Sequence, residues 1–297
     1  MKERVTLTID AGLLKRIDQK IDGSRIKNRS HAVELFLLKA LGDRKPTKAL
    51  ILAGGEDKSL AKSLGDTPKC LAPLGDRTLI EHAIELFKQF DVKQIIISAG
   101  PNIEALREKL GDGKELGVSI TYLEEKHALG TAGPIRMAKE HLTNTFFVSN
   151  VDDLKELNLL DLFVFHSEHR SIATIALKTV ADPSGYGVAN MTGNHIVSFV
   201  EKPNASNAPS NLVNAGLYVM EPDIIEFIPE GYATLENDVF PKLARENRLI
   251  GYTFSGRWLG ISSEKDYERA NKEWATVKTE QKQGSGAAYH AAEEKEV

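Results

Sequence analysis

The chain is poor in the residues that make disulfides, metal clusters and membrane spans. Cys70 is the one cysteine among 297 residues, so an internal disulfide is impossible. No Cys/His cluster has the spacing of a zinc site, and Cys70 is expected to fill the core as a small apolar side chain. No apolar run reaches the roughly 18 residues that a membrane-spanning helix needs. The sequence therefore predicts a cytoplasmic protein with no membrane partner.

The composition is that of a globular protein, but the charge is distributed unevenly. Hydrophobic residues make up 41% of the chain and charged residues 27%. Residues 1–45 hold 11 Lys/Arg against 6 Asp/Glu, a net +5, whereas the remainder holds 27 against 36, a net −9. A basic head on an acidic body indicates a polyanionic partner for the head. The stretch 277–297 is aperiodic and rich in Gln, Gly, Ser, Ala and Glu, which predicts a disordered tail.

The basic head, residues 1–43, has the pattern of a strand followed by two helices. Apolar and polar residues alternate over 5–9, which is the period of a half-buried strand. Asp10 can cap a first helix that ends by Gly23, and Ser30 can cap a second helix that runs to residue 41. Such a short segment cannot bury a core alone. We therefore expect a homodimer or a higher even oligomer.

This order of elements resembles the ribbon-helix-helix DNA-binding family. The resemblance implies that strands from two copies form an antiparallel ribbon in the major groove of double-stranded DNA. It also implies that the start of the second helix offers backbone N–H groups to a phosphate. The alternative, a dimerisation hairpin whose charges merely face water, stays open. The residues implied in DNA binding are Arg4, Thr6 and Thr8 on the ribbon and Asn28, Arg29 and Ser30 at the helix start.

After a linker at 44–47, the second domain, residues 48–276, alternates strands with helices. Alternation of this kind predicts an α/β fold, here a mostly parallel, Rossmann-like sheet flanked by helices. Ligands then bind beyond the carboxyl ends of the strands. The expected strands are 49–53, 94–99 and 119–122, the expected helices are 79–90 and 103–110, and the expected site loops are 53–59, 124–131 and 149–154.

Ordered motifs across 48–276 resemble the sugar-1-phosphate nucleotidylyltransferases. The stretch Leu129-Gly130-Thr131-Ala132-Gly133 is most similar to the mannose-1-phosphate guanylyltransferase branch. The other motifs include Leu52-Ala53-Gly54-Gly55, Pro68-Lys69, Asn150-Val151-Asp152, Tyr186-Gly187-Val188, Glu201-Lys202-Pro203, Asn214-Ala215-Gly216 and Trp258.

The resemblance implies a reaction and a role for each matched residue. A sugar-1-phosphate oxygen attacks the α-phosphorus of a nucleoside triphosphate and pyrophosphate leaves, with Lys69 and Asp152 as catalytic residues and Asp152 as a ligand of Mg²⁺. Glu125 is implied at the base edge, Lys202 at the sugar phosphate, and Glu201 and Asn214 at sugar hydroxyls. The full set implied in nucleotide and sugar binding is Leu52, Ala53, Gly54, Gly55, Glu125, Gly130, Thr131, Gly187, Glu201, Lys202 and Asn214.

The chain departs from the family pattern where it should grip the triphosphate and the metal. Asp57 replaces the second loop glycine, Ser59 the loop arginine, and Gly260 the second metal aspartate, the residue two beyond Trp258. Like charges about 4 Å apart interact by around 4 kcal/mol at an effective dielectric of 20. Loss of an arginine that stabilises phosphoryl transfer costs roughly 10³- to 10⁵-fold in rate.

These departures favour a transcriptional regulator: a DNA-binding head on a body that binds a nucleotide, sugar phosphate or nucleotide sugar with impaired catalysis. One alternative is an active sugar-1-phosphate nucleotidylyltransferase of the mannose-1-phosphate guanylyltransferase type, with the head used for dimerisation or DNA binding. A second alternative is a structural DNA-coating protein.

Overall fold

A computed structural model describes residues 5–21, 26, 28–41, 45–54 and 59–284. No helix in these ranges is long and apolar enough to cross a membrane. The helices are α1 Ala11–Asp18, α2 Arg29–Leu41, α3 Ala61–Leu64, α4 Leu79–Gln89, α5 Ile103–Leu110, α6 Gly133–Met137, α7 Leu159–His169, α8 Phe240–Arg245 and α9 Glu264–Gly284. The strands are β1 Lys48–Leu52, β2 Pro73–Leu74, β3 Arg77–Thr78, β4 Gln94–Ala99, β5 Ser119–Glu124, β6 Phe146–Asn150, β7 Asp153–Lys155, β8 Ala173–Thr179, β9 Gly187–Thr192, β10 His195–Glu201, β11 Leu212–Met220, β12 Leu249–Thr253 and β13 Trp258–Gly260.

The second domain is built on one sheet with the strand order β5-β4-β1-β6-β11-β8-β12-β10-β9. Its first four strands run parallel, as the alternation of strands and helices predicts. Beyond β6 the pairings are antiparallel except for β8 with β12. The prediction of a mostly parallel sheet is therefore wrong, and the sheet is mixed. The reason is that β9 and β10 form an antiparallel pair with no crossover helix between them, which allows antiparallel strands to be neighbours.

Two apolar cores cover the two faces of this sheet. Successive side chains of a strand point to opposite faces, so Leu50 of β1 joins one core while Ala49 and Ile51 join the other. The first core holds α6 and α8, and the second holds α4, α5 and α7. The two cores cover both faces of the sheet, so side chains on both faces of a central strand are buried. This explains why the parallel strands in the centre are continuous runs of apolar residues.

Two short two-stranded sheets stand beside the main sheet. β2 pairs with β3, and β7 pairs with β13. They pack with α9 in a third apolar cluster that includes Leu154, Ile261 and Tyr267. Helix α9 continues to Gly284, so the prediction that the tail from 277 is disordered is wrong for 277–284. The remainder of that tail, 285–297, lies outside the described residues.

The head contains the two expected helices, and its described residues form no strand. Residues 5–10 belong to no helix or strand, since a strand needs a hydrogen-bonded partner and one chain supplies none here. The Asp10 carboxylate accepts the Leu13 N–H at 3.0 Å, which confirms Asp10 as the cap of α1. Helix α1 ends at Asp18, earlier than expected.

The second helix of the head begins one residue before the expected cap. Helix α2 starts at Arg29, and the Asn28 side chain accepts the His31 N–H at 3.0 Å. Asn28, not Ser30, therefore caps α2. His31 in turn lies 3.4 Å from the Asp161 carboxylate on α7, so the head contacts the body.

Candidate active site

A large cavity opens at the carboxyl ends of the parallel strands, where the alternation of strands and helices predicts a ligand site. It encloses about 700 Å³ and is lined by residues that follow β1, β5 and β6. Of the predicted site residues, the cavity gathers Leu52, Ala53, Gly54, Lys69, Glu125, Gly130, Thr131 and Asp152. Gly55 and the substituted loop residue Asp57 lie outside the described residues.

Lys69 and Asp152 meet on the wall of this cavity. Lys69 opens a single 3₁₀ turn after Pro68, and Asp152 lies in the turn that follows β6. The Lys69 ammonium is 8% exposed and lies 2.9 Å from the Asp152 carboxylate. The two residues predicted to be catalytic are 83 positions apart in the chain, and the fold brings them into direct contact.

Glu125 is held rigidly at the far end of the same cavity. Its carboxylate is buried, accepts the Ser98 hydroxyl at 2.9 Å and accepts the Leu129 N–H at 3.3 Å. It lies so near Gly54 that a Cβ there would come within 2.5 Å of a Glu125 oxygen. A side chain at position 54 would displace the Glu125 carboxylate. Gly54 is therefore needed for Glu125 to reach its place in the site.

A smaller cavity adjoins the large one and gathers the predicted sugar-side residues. It encloses about 170 Å³ and is lined by Gly187, Glu201, Lys202 and Asn214. Asn150 and Asp152 line both cavities, so Asp152 stands where the two meet. The arrangement offers two adjacent binding spaces with a cation and a carboxylate at their junction.

Two glutamates give the small cavity its polar character. Glu201 is half-buried, and burial together with the nearby Glu236 raises its pKa. Burial also raises the pKa of Glu236, although the Thr131 hydroxyl donates to it at 2.5 Å. The hydroxyl groups of a bound ligand can donate hydrogen bonds to these carboxyls and so replace the water that the carboxyls lost on burial.

Two predicted glycines make close approaches possible around the cavities. Gly130 has φ +76°, and a Cβ there would overlap the Ala233 carbonyl. At Gly187 a Cβ would overlap the Phe199 ring and lie 2.9 Å from a Glu201 oxygen. A side chain at either position would therefore displace a wall of the site.

Three further predicted residues serve local structure as well as the cavities. The Asn214 amide donates to the Tyr218 hydroxyl at 2.8 Å and its oxygen accepts the Gly216 N–H at 3.0 Å. Thr131 accepts the Leu235 N–H at 2.8 Å, which joins two loops. Lys202 is largely exposed, has φ +43° and lies 3.8 Å from the Glu201 carboxylate.

Asp153 and Glu236 line the small cavity although they are not among the predicted site residues. Burial raises the pKa of Asp153 and lowers that of Lys155, its neighbour two positions on. Lys155 donates to the Ser149 hydroxyl at 3.0 Å and to the Gly216 carbonyl at 2.8 Å. A second carboxylate directly after Asp152 is the sequence signal that identifies Asp153.

The sheet, the cavity beyond its parallel strands and the Lys69–Asp152 pair define a nucleotidyl transferase. The chain belongs to the nucleotidyl transferase family, which it matches over residues 48–277. This membership confirms the predicted α/β nucleotidyltransferase fold of the second domain.

Similar proteins point to one branch of that family. A mannose-1-phosphate guanyltransferase of Saccharomyces cerevisiae is 36% identical, and a probable mannose-1-phosphate guanylyltransferase 1 of Oryza sativa is 34% identical, each across 74% of this chain. The chain spans 62% of the length of these relatives. Among solved structures, a Bacillus anthracis protein named as a glucose-1-phosphate thymidylyltransferase, in complex with sucrose, has a TM-score of 0.71 and 26% identity over 77% of this chain and 95% of its own.

The prediction of a DNA-binding regulator with impaired catalysis is wrong. The similar proteins carry the names of enzymes, and they favour an active transferase. That prediction rested on the departures at Asp57, Ser59 and Gly260, whereas Lys69 and Asp152 still form an ion pair, with Asp152 at the junction of the two cavities. The alternative of a structural DNA-coating protein has no support from these relatives either.

Of the residues predicted to contact DNA, Arg29 and Asn28 make contacts within the head, and three others are exposed. The Arg29 guanidinium donates twice to the Asp18 carboxylate, at 2.6 and 2.8 Å, and ties α2 to α1. This ion pair keeps the pKa of Asp18 below its usual range. Asn28 caps α2, while Thr6, Thr8 and Ser30 are exposed. Arg4 lies outside the described residues.

Proposed function

We propose that the chain transfers a nucleotidyl group from a nucleoside triphosphate to a sugar 1-phosphate. A phosphate oxygen of the sugar phosphate forms the new bond to the α-phosphorus, and the bond from that phosphorus to the pyrophosphate oxygen breaks. The observation that carries the proposal is the junction at Asp152, where a cavity large enough for a nucleotide meets a small polar one.

Lys69 and Asp152 supply charge at that junction. The buried Lys69 ammonium neutralises negative charge on the phosphates, and nothing covalent is required of the protein in such a transfer. Asp152 presents a carboxylate oxygen of the kind that Mg²⁺ binds, and the metal when bound would neutralise phosphate charge. In the absence of substrate, the 2.9 Å contact between the Lys69 ammonium and the Asp152 carboxylate holds both side chains in position at the junction.

The cavities also support an assignment of base and sugar. Each Glu125 oxygen has accepted one hydrogen bond and has a further lone pair, so the carboxylate can still accept from the N1–H and N2–H₂ groups of guanine. Glu201 and Asn214 can bond sugar hydroxyls, and Lys202 can reach a sugar phosphate. Together with the names of the relatives, these features support GTP and mannose 1-phosphate as the substrate pair.

Release of pyrophosphate by the purified protein tests the proposal. Mg²⁺ is supplied with GTP, ATP, UTP, CTP or dTTP, each combined with mannose, glucose or N-acetylglucosamine 1-phosphate. We expect the fastest release from GTP with mannose 1-phosphate, and none after chelation of the metal by EDTA. Faster release from another pair would overturn the assignment of base or sugar, and no release from any pair would overturn the reaction itself.

We further propose that the head pairs two copies of the chain through residues 5–10. The alternating side chains Val5 and Leu7 are 69% and 56% exposed, and Leu13 nearby is 47% exposed. Apolar exposure concentrated on an unpaired segment supports edge-to-edge pairing, which would bury these side chains.

Sedimentation of the full chain tests this pairing. We expect a dimer or a higher even oligomer at micromolar concentration, and a monomer after the double substitution Val5→Asp and Leu7→Asp. Val197→Asp is the matched control, because Val197 is also an exposed apolar residue, at 43%, but lies on β10. A monomeric natural protein, or a double variant that still associates, would contradict the pairing.

A further inference from the structure

Asp153 faces Gly260 directly across a pair of short strands. β7 and β13 are antiparallel, and their register places Asp153 opposite Gly260. Residues opposite each other in such a pair have Cβ atoms about 4.5–5.5 Å apart on the same face. A carboxylate at 153 and a carboxylate at 260 would therefore reach the same space from opposite strands.

The Asp153 carboxylate already occupies the space that a side chain at 260 would enter. A Cβ built on Gly260 would lie 3.2 Å from one Asp153 oxygen. The other oxygen lies against Gly216, where φ is +62° and a Cβ would overlap it. The carboxylate thus sits between two glycines, and Asn150 fixes its direction by donating to it at 3.4 Å.

The surroundings of this carboxylate suit a cation. Asp153 and Asp152 line the same small cavity, and the Asn150 Oδ1 atom beside them is buried with no hydrogen-bond donor. The Lys155 ammonium donates to the Ser149 hydroxyl and the Gly216 carbonyl, and its charge favours the ionised form of the Asp153 carboxylate. Carboxylate and amide oxygens are the ligands that Mg²⁺ prefers, with substrate phosphates and water completing its shell.

No group of three or more His, Cys, Asp or Glu side chains in the described ranges is arranged to hold a metal. Mg²⁺ is commonly bound through one or two carboxylates together with substrate phosphates, so a pair is sufficient.

We propose that Asp153 is the second carboxylate that holds the metal with Asp152, and that it replaces the side chain absent at Gly260. This proposal rests on the proposed transfer reaction, in which the metal accompanies the phosphates. Asp153 lies outside the motifs of the family, and the proposal assigns it a metal-binding role. The carboxylate that the family pattern has at position 260 is then supplied from position 153 on the facing strand. The departure at Gly260 then leaves the number of metal carboxylates unchanged.

Binding of Mn²⁺ alone, followed by the electron paramagnetic resonance signal of the free ion, tests the exchange without substrate. We expect Asp153→Asn to weaken Mn²⁺ binding by about tenfold or more. The double variant Asp153→Ser/Gly260→Asp should recover an affinity within about threefold of the natural protein, because the smaller serine vacates the space beside position 260 and the new carboxylate enters it from the facing strand. Asp223→Asn removes one exposed carboxylate away from both cavities and should leave binding unchanged.

Two results would overturn the assignment. One is Mn²⁺ binding by Asp153→Asn as tight as that of the natural protein, and the other is a double variant that binds no better than Asp153→Ser. Asp153→Ser, a smaller substitution, provides the same comparison if the asparagine variant fails to fold, as judged by thermal unfolding. Pyrophosphate release is measured separately, so the expected Mn²⁺ pattern without any transfer would refute the reaction and leave the metal site standing.

Discussion

Replacing Asp152 by asparagine is expected to lower pyrophosphate release by about 10³-fold or more, the scale on which charge-stabilising groups act in phosphoryl transfer. Asp152 lies at the junction of both cavities, and its carboxylate is 2.9 Å from the Lys69 ammonium. Asparagine keeps the shape but removes the charge, so the loss should appear in kcat more than in the affinity for nucleotide. Steady-state pyrophosphate release at saturating substrates, together with nucleotide binding by calorimetry, measures both quantities.

Asp223→Asn is the matched control, because it removes the same charge from an exposed site. It should retain the natural rate within about twofold. A rate for Asp152→Asn within tenfold of natural, in a variant that melts normally, would show that the junction carboxylate is not part of the reaction.

Replacing Gly216 by alanine is expected to destabilise the protein by about 3 kcal/mol. The backbone there has φ +62°, and a non-glycine residue held in a sparsely populated conformation costs about 1–3 kcal/mol. The added Cβ would also overlap the Asp153 carboxylate and lie 2.9 Å from the Asn150 amide, and overpacking of this kind costs about 1–3 kcal/mol more. Denaturant unfolding with a two-state fit measures the difference.

Gly193→Ala separates the two contributions. Gly193 has a similar φ of +58°, but nothing lies within 4 Å of a Cβ built there. The substitution should cost about 1 kcal/mol, the price of the backbone conformation alone. Equal losses at 193 and 216 would contradict the close fit of the Asp153 carboxylate against Gly216.

The parallel half of the sheet could be predicted from sequence, and the antiparallel half could not. β1 and β4 are short runs of buried apolar residues, and the helix α4 between them has clear helical spacing, so each is recognisable alone. β9 and β10 mix polar with apolar residues, without the alternation that marks a half-buried strand along β10, and pair with each other over a tight turn. Their place in the sheet depends on partners distant in sequence, which no local pattern specifies.

In the head, a helix cap could be predicted from local sequence, whereas the contact between the two helices could not. Asp10 was identifiable as a cap because its side chain bonds a backbone N–H only three residues away. Asn28 and Ser30 are both good caps, and propensity does not choose between them. The Arg29–Asp18 ion pair depends on how two helices cross, which is a tertiary property.

The site was predictable where a motif carried it. Lys69, Asp152 and Glu125 lie in recognisable stretches, and the cavity collects them. Asp153 was considered only as a carboxylate that could help Asp152 at the metal and was left out of the predicted site residues, because the motif Asn150-Val151-Asp152 ends one residue before it. Asp152 lies in the turn before β7, not in the strand, so both carboxylates can line one cavity.

The pairing of strands changes from parallel to antiparallel at β6, and the strands on the two sides of this change line different cavities. The end of the large cavity around Gly54 and Glu125, to which the proposed function assigns the base, is formed by loops that follow parallel strands. The small cavity, to which it assigns the sugar, takes Gly187, Glu201 and Asn214 from the antiparallel strands. If the proposed function holds, the residues that select the base and those that select the sugar come from different strands, so a substitution in one group is expected to change one preference and leave the other.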